Sequence, residues 1–490
     1  MLDTAGYNRI PVETPKIGIF GIGLAAYWPQ FPGLKERLAG YQREIEQKLR
    51  DFGSEIVSVG LVDTQPAAHE ARSLFSREDV DLVVCYVGTY STSSQVVPAV
   101  QHLRCPILVL NLQPVPAIDY ERTDTGEWLA NCCACCVPEI SSAFARCGIA
   151  FNVVSGLLHE RDGDAGITAW REIRGWVKAT AAARSLRRSR IGFLGHTYPG
   201  MLDMYSDFTA ITGQTGAHIE VLEIDDLETR VEQVMDDEVQ AVLKCARGLF
   251  EISSDSQSDP LAKAPKPEAL YWSAKVAAGL DRLVADFRLD SLSYYYRGTD
   301  ANPQELLAAG LILGNTLLTG RGIPCSGEGD LKNAIAMLIM DRLYAGGSFT
   351  EFYAMDFVDQ FLLMGHDGPF HLAIADGKPA LRGLGLFHGK RGQGISVEAR
   401  VKTGPITILG LTQTRESNLK LLVAEGESIP GPILRIGNTN SRIRFPIGPA
   451  EFMDSWCAEG PTHHCALGVG HVAKDVEKDA RILELKTVRI

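Results

Sequence analysis

The hydrophobic texture of this chain changes twice along its length, and those two changes bound what it can fold into. Up to about residue 185, short apolar runs alternate with helical spacing. Ile17-Gly18-Ile19-Phe20 reads as a buried strand. Leu34, Leu38, Tyr41, Ile45 and Leu49 then share a helical face, with Gly53 as a stop. Glu55 to Val62, Leu82 to Tyr86 and Ile107 to Leu110 read as the next three strands. Repeated strand–helix–strand units imply a parallel sheet covered by helices on both faces. A fresh start follows at Arg190-Ile191-Gly192-Phe193-Leu194-Gly195, with the basic stretch Arg184 to Arg190 as a linker. His218 to Leu222 is the next strand and Leu227 to Met235 the next helix. Residues 251–268, rich in Ser, Asp, Pro and Lys, read as a surface loop before a helix over Glu268 to Phe287. Beyond about residue 346 the runs become short and are split by Gly, Pro and Asn. They are Ile395 to Val401, Ile406 to Leu411, Leu419 to Ala424, Ile433 to Ile436 and Ile443 to Phe445. That pattern indicates an antiparallel sheet or barrel. The expected fold is therefore α/β: two doubly wound parallel-sheet domains, residues 1–185 and 186–345, then a β-rich, barrel-like antiparallel domain, residues 346–490.

A chain of 490 residues is too long for one core, in keeping with several domains. Its net charge of −12 disfavours a nucleic-acid partner, which would call for a basic face. No apolar run reaches the ~18–20 residues that cross a bilayer, so no membrane partner is expected. Met1 to Lys16 is polar and lacks a secretory apolar core, so the cytoplasm is the expected compartment. The eleven cysteines are then thiols rather than a disulfide frame. Four of them form Cys132-x-x-Cys135 and Cys133-x-x-Cys136, but no second ligand pair for zinc is evident. Buried thiols in a tight wall are the simpler reading. Gly21-Ile22-Gly23-Leu24-Ala25-Ala26 matches a dinucleotide fingerprint. Pro29 and Pro32 break the stretch where its helix should run, and the next strand-closing acid, Asp63, stands well beyond the ~20 residues expected.

The chemistry concentrates in Ser326-Gly327-Glu328-Gly329-Asp330-Leu331-Lys332, followed by Glu351, His366 and the pair His463-His464. Asp330 can cap a helix carrying Leu331, Ile335 and Leu338 on one face, which sets Glu328 just before a helix N-terminus. Flanking glycines allow a sharp bend and leave room for a ligand. Two carboxylates and distant imidazoles can hold Mn²⁺, Co²⁺, Fe²⁺ or Zn²⁺ in preference to Ca²⁺. Spacing alone leaves a second reading open: a capping carboxylate and ordinary polar histidines. Ligands of parallel sheets sit at the carboxyl ends of strands. That rule makes Thr89 and Tyr90 after the third strand, Gln113 at the fourth, and His196 and Tyr198 after the strand at 190–195 candidate substrate contacts. Tyr294-Tyr295-Tyr296-Arg297 is either a stacking patch or half-buried structure, and His388, Lys390 and Arg391 form a basic turn.

Gly327-Glu328-Gly329-Asp330 with Lys332, Ser348-Phe349-Thr350-Glu351, Gly365-His366 and the late His463-His464 pair resemble the L-arabinose isomerase/L-fucose isomerase family in order and approximate separation. The resemblance implies a metal-dependent aldose–ketose isomerase acting on an open-chain monosaccharide through an enediol. It implies Mn²⁺, or another divalent first-row metal, on Glu328, Glu351, His366 and His464, with His463 as a substrate-binding neighbour. Glu328 and Glu351 would double as the acid/base pair. It also implies a homo-oligomer, a trimer or hexamer. The chain departs from the family at Asn131 to Glu139, where cysteines replace a polar, histidine-containing loop, and at Gly23 to Gln30. The metal chemistry therefore carries over better than the sugar. Two other classes are expected to behave differently: a nicotinamide-dependent sugar oxidoreductase would bind NAD(P)H through Gly21 to Ala26, and a non-catalytic sugar-binding protein would bind without forming product.

Overall fold

The computed structural model describes residues 9–255, 259–297, 302–385 and 393–490, and the basic turn His388, Lys390, Arg391 lies outside them. By its internal contacts the chain divides into two compact units, Glu13–Arg184 and the remainder from Ser185 to Ile490 together with the N-terminal segment through Val12.

The first unit is one parallel sheet of β1 (Lys16–Ile22), β2 (Glu55–Val62), β3 (Leu82–Tyr86), β4 (Ile107–Gln113) and β5 (Phe151–Leu157), in the order β2-β1-β3-β4-β5. Strands covered on both faces have no reason to alternate polar with apolar. Accordingly every residue of β3 is buried, and only the first of β1 is not. Gly18 is small because Phe75 presses on it: a Cβ there would come within 2.8 Å of that ring.

The second unit contains β6 (Arg190–Gly195), β7 (His218–Leu222), the two-residue strands β8 (Glu251–Ile252) and β9 (Ala262–Lys263), β10 (Ser291–Tyr295) and β11 (Cys325–Ser326). Four of these form a parallel sheet in the order β11-β10-β6-β7. After it come β12 (Gly346–Asp356), β13 (Phe361–His366), β14 (Ala380–Gly385), β15 (Gln393–Glu398), β16 (Gly404–Gln413), β17 (Leu419–Ile429), β18 (Thr439–Arg444), β19 (His464–Val469) and β20 (Lys486–Arg489). Antiparallel pairing runs β16-β19-β12-β13-β18-β17 and returns from β17 to β16, closing a barrel to which β20 adds in parallel. Closure removes the exposed edges that an open sheet would leave.

One helix joins the two sheets. Leu331–Arg342 has every residue buried, including Lys332, Asp341 and Arg342. It packs on β12, β16 and β19 on one side and on β10 and β11 on the other. A helix apolar nearly all round belongs between layers. Its buried charges are paired: Asp341 meets Arg9 at 3.0 Å and His371 at 3.1 Å, and also contacts Arg342. Lys332 donates to the Tyr205 carbonyl at 3.1 Å and to Ser206 Oγ at 3.0 Å.

Three expectations are corrected. No strand forms at Ile433–Ile436. Pro430 and Pro432 lack the N–H that a ladder needs, and the Asn440 side chain ties the segment instead, bonding Leu434 N at 2.9 Å and Leu434 O at 3.0 Å. The described part of the 251–268 loop includes β8 and β9, both paired to β14. The strand expected over 395–401 ends at Glu398, after which Ala399 O accepts from Asn440 N–H.

Candidate active site

The carboxyl ends of β6, β10 and β11 open beside the barrel strands β12, β13 and β19, and the chemistry-bearing side chains gather there. Barrel register does half the work. Glu351 on β12 pairs with Gly365 on β13 and with His464 on β19, so that His366 and His464 flank it. His366 Nε2 lies 3.9 Å from Glu351 Oε1. Glu328 arrives from the parallel sheet, on the turn Gly327–Gly329 that follows β11. Its own backbone is left-handed, with φ 60° and ψ 10°, which typically costs a non-glycine residue about 1–3 kcal/mol. The loop after β6 holds it so: Tyr198 N donates to Glu328 O at 2.8 Å. Gly329 is required, since a Cβ there would approach the His196 carbonyl to 2.5 Å.

Glu328 Oε2 stands 3.6 Å from Nε2 of His464 and 3.6 Å from Nε2 of His463. Two overlapping sets, Glu328/His366/His464 and Glu351/His463/His464, each bring one donor atom per residue within 4.8 Å of the others, close enough to share a metal ion. His464 is fully buried, and its Nδ1 lies 3.0 Å from Oδ2 of Asp330, itself fully buried. With Nδ1–H donating to Asp330, Nε2 is left as a lone pair facing the site, the arrangement by which carboxylates orient metal-binding imidazoles. Asp330 also caps the helix through Asn333 N at 3.0 Å, so one side chain fixes both helix start and imidazole. His464 Nε2 and Glu328 Oε2 are buried and have no hydrogen-bond partner. Buried polar atoms left unpaired are costly unless something else meets them. A nitrogen lone pair and a carboxylate oxygen are what a divalent first-row cation needs, so these residues fit one.

The charges are arranged unequally. Asp203, on the turn Leu202–Met204, accepts from both His463 N at 3.0 Å and His463 Nδ1 at 2.7 Å. Burial works against the His463 charge, but Asp203 and Glu328 outweigh it and raise its pKa to about 10. Burial opposes ionisation of Asp203 too, yet the His463 bonds bring its carboxyl down to about 2. Glu328 behaves alike: burial would raise it, and the three imidazoles hold it below the ordinary range. His464 goes the other way, lowered by burial and by its histidine neighbours despite Asp330. Burial likewise opposes the His366 charge, but Asp367, 2.9 Å from its Nδ1, and the two glutamates raise it.

A cavity of about 540 Å³ opens onto this cluster, lined by Glu328, Glu351, His366 and Tyr198 and by Tyr294, Tyr295 and Tyr353 among others. The tyrosine run thus lines a cleft as well as ending a strand. Tyr198 stacks near Tyr295 at 4.7 Å, whereas His196, also packed on Tyr295 at 5.1 Å, is not part of the lining. Thr89, Tyr90 and Gln113 belong to the first unit. There Thr89 is buried with Oγ1 unpartnered, the Tyr90 hydroxyl reaches Glu139 at 3.5 Å, and Gln113 Nε2 donates to Val115 O at 2.6 Å. In the same unit the dinucleotide fingerprint is filled by protein. A Cβ on Gly23 would meet the Trp28 indole at 2.7 Å, and Trp28 Nε1 bonds Asp63 at 2.8 Å. Only a short turn, Ala25–Tyr27, precedes the helix at Leu34. Asp203 and Asp367 were not foreseeable as partners, since an isolated aspartate in a turn carries no spacing signal. Asp330 was visible only as a cap.

The fold and cluster define a sheet-end cleft with a carboxylate–imidazole centre of metal-binding kind. The chain is 24% identical over 407 residues to the L-arabinose isomerase of a Nocardioides species, covering 80% of this chain and 77% of the relative. It is 24% identical over 428 residues to that of Acidothermus cellulolyticus, covering 83% and 80% respectively. A sulfoquinovose isomerase of Alkalicoccus urumqiensis is 26% identical over 175 residues, 35% of this chain and 39% of the relative. These relatives support an L-arabinose isomerase-like family for the chain. No protein-family model matches it. A solute-binding protein of Actinobacillus succinogenes with bound D-allose covers 64% of this chain and 78% of its own at 14% identity and TM-score 0.18, too distant to carry an argument. Among the described residues no helix is long and apolar enough to cross a membrane.

Proposed function

We propose that this protein is a metal-dependent aldose–ketose isomerase, with Glu328, Glu351, His366 and His464 holding one divalent cation, Mn²⁺ in the first instance. The observation that carries the proposal is the pair His464 Nε2 and Glu328 Oε2, buried without a hydrogen-bond partner, where two donor sets, Glu328/His366/His464 and Glu351/His463/His464, overlap at His464. Such a cation stabilises negative charge developing on carbonyl and hydroxyl oxygens. The isomerase relatives support the reaction class.

The chain's own groups divide the work. Glu328 and Glu351 stand on separate elements with side chains 24% and 31% exposed, so both reach an open-chain sugar in the cavity. One carboxylate removes the proton from C2, giving the enediol, and a proton is returned at C1. The other moves the proton between O1 and O2. His463, kept charged by Asp203, restrains Glu328 beside the sugar. The aromatic walls limit water around the exchanging proton. Glu328's left-handed backbone pre-sets its carboxylate, so that its geometry does not depend on the sugar. The nicotinamide alternative finds no support at Gly23, where Trp28 occupies the approach. A cytoplasmic homo-oligomer, trimer or hexamer, belongs to the same proposal and is open to sedimentation.

A panel of aldoses assayed with Mn²⁺ in deuterated water tests the reading. A ketose product with solvent deuterium exchanged at C1, abolished by EDTA and restored by Mn²⁺, is the expected outcome. Turnover indifferent to EDTA, or no turnover across the panel, removes the proposal. Turnover without label replaces the enediol with a hydride shift.

A further inference from the structure

The helix that joins the two sheets carries a buried ammonium that belongs neither to the metal-type donor sets nor to the cavity wall. Lys332 is 1% exposed, and a buried charge is costly unless hydrogen bonds and opposite charges meet it. Burial draws its pKa below the ordinary lysine range, and Asp330 and Asp203 oppose the shift. Its two hydrogen bonds go to neutral groups, the Tyr205 carbonyl at 3.1 Å and Ser206 Oγ at 3.0 Å. Both acceptors directly follow the turn Leu202–Met204, which carries Asp203. Ser206 Oγ passes the restraint on, donating to the Met204 carbonyl at 2.8 Å. Met204 adjoins Asp203, which accepts from His463 N and Nδ1. His463 in turn places Nε2 3.6 Å from Glu328 Oε2. A continuous series of contacts therefore runs from the buried lysine to the Glu328 carboxylate.

The turn has little else to place it. Leu202 is 72% exposed and Tyr205 51%, and Met204 is the buried side chain between them. The bonds from Gly200 N to the Tyr205 hydroxyl and from Asp207 N to Gln413 are exposed to water. A segment with so little apolar burial takes its position from its sheltered hydrogen bonds. We propose that Lys332 is a positioning residue for the isomerisation: it fastens the Asp203 turn and so holds His463 against Glu328. The proposal rests on the isomerase reading.

A double-mutant cycle tests the route, because residues that act through one another do not add. Lys332→Met keeps most of the side chain's length and removes its donors. It should lower kcat/KM with Mn²⁺ by about tenfold or more, since small misplacements far from the reacting atoms carry such losses. In the Asp203→Asn background the same change should cost less than about twofold. Ser206→Ala cuts the same series at a half-buried hydroxyl, with no buried charge at stake, and should show the same dependence on Asp203. It carries the test if Lys332→Met does not fold. Losses that multiply in the Asp203→Asn background, or near-normal kcat/KM in the single variants, overturn the proposal. The position of His463 is also read without turnover. Nitrogen-15 histidine labelling follows its ring nitrogens, identified by their loss in His463→Gln. Lys332→Met and Ser206→Ala should each move the Nδ1 signal toward its position in Asp203→Asn, and an unmoved signal overturns the fastening. No turnover by the unaltered chain on any aldose overturns the isomerase reading, and the nitrogen signal then still decides whether Lys332 fixes His463.

Discussion

Two parallel sheets in this chain end in loops of similar kind, yet among the described residues the carboxylate–imidazole cluster stands at the end of the second. At the carboxyl end of the first sheet the glycine fingerprint is covered, although a cleft of about 570 Å³ remains beside Gln30, Gly33, Arg37, Asp124 and Glu127. Trp28 covers Gly23, and Cys133 and Cys136 point their thiols at the carbonyls of Leu112 and Thr89, at 3.4 and 3.5 Å. Burial pushes those thiols up to about 12 and about 11, so neither is a thiolate near neutral pH. At the carboxyl end of the second sheet, buried donors and acceptors are left facing a cavity. Unpaired buried atoms occur at both ends, Thr89 Oγ1 and the Tyr86 hydroxyl in the first, so the distinguishing feature of the second is that a carboxylate and an imidazole are among them, beside a cavity.

The sharpest way to break that contrast is to remove one charge from the second region. Glu328→Gln and Glu351→Gln should each lower kcat by about a thousandfold or more with circular dichroism unchanged, because each is assigned both ligation and proton transfer. Either variant with near-normal kcat withdraws that residue from the site. Next in size is Asp330→Asn. The amide keeps the helix cap through its oxygen but no longer holds the Nδ1 proton of His464. Mn²⁺ affinity, read by titration, should fall about 10–100-fold. Unchanged affinity would mean that Asp330 serves the helix alone.

Most of the architecture was legible in the sequence because apolar periodicity is local. Strands β1 to β4, β6 and β7 and the Pro267–Phe287 helix follow from runs of a few residues, whereas β5, β10 and the two-residue β11 were not read as strands. The metal-type cluster was legible through resemblance, since glycine-flanked Glu328 and paired histidines are distinctive in order. What was hidden depends on distance along the chain. Asp203 meets His463 only because the loop after β6 and the start of β19 reach the same place. The Ile433–Ile436 segment misled because β-branched residues signal a strand locally, while the neighbouring prolines and Asn440 decide otherwise. The barrel's closure between β16 and β17 is likewise a pairing that no single segment encodes.

A buried unpaired carboxylate outside the cleft sharpens the criterion. Asp479, on the helix Ala473–Leu483, is fully buried with neither oxygen partnered. Burial raises its pKa to about 8 although Arg187 opposes the shift. Unfolded, it would titrate near about 4. The folded state therefore binds the proton more tightly, and stability falls as pH rises from about 4 through about 8. Against Asp479→Asn, which does not titrate, the native chain should melt at a similar temperature at pH 4 and several degrees lower at pH 8. A gap that does not widen with pH would show Asp479 to be paired. The distinction from Glu328 is then chemical: Asp479 is met by a proton, whereas the imidazoles beside Glu328 hold its pKa down.

The smallest effect belongs to the first region. Cys135 is the exposed member of its cluster, and among the described residues no cysteine falls in a metal-holding group. Cys135→Ser should change kcat by less than twofold and stability by no more than about 0.5 kcal/mol, since surface substitutions away from a site rarely do more. Zinc content by mass spectrometry should be unchanged as well. A large loss of activity, or of bound zinc, would make the cysteine loop a second centre. The contrast between the two sheet ends would then fail at the place where it predicts nothing should happen.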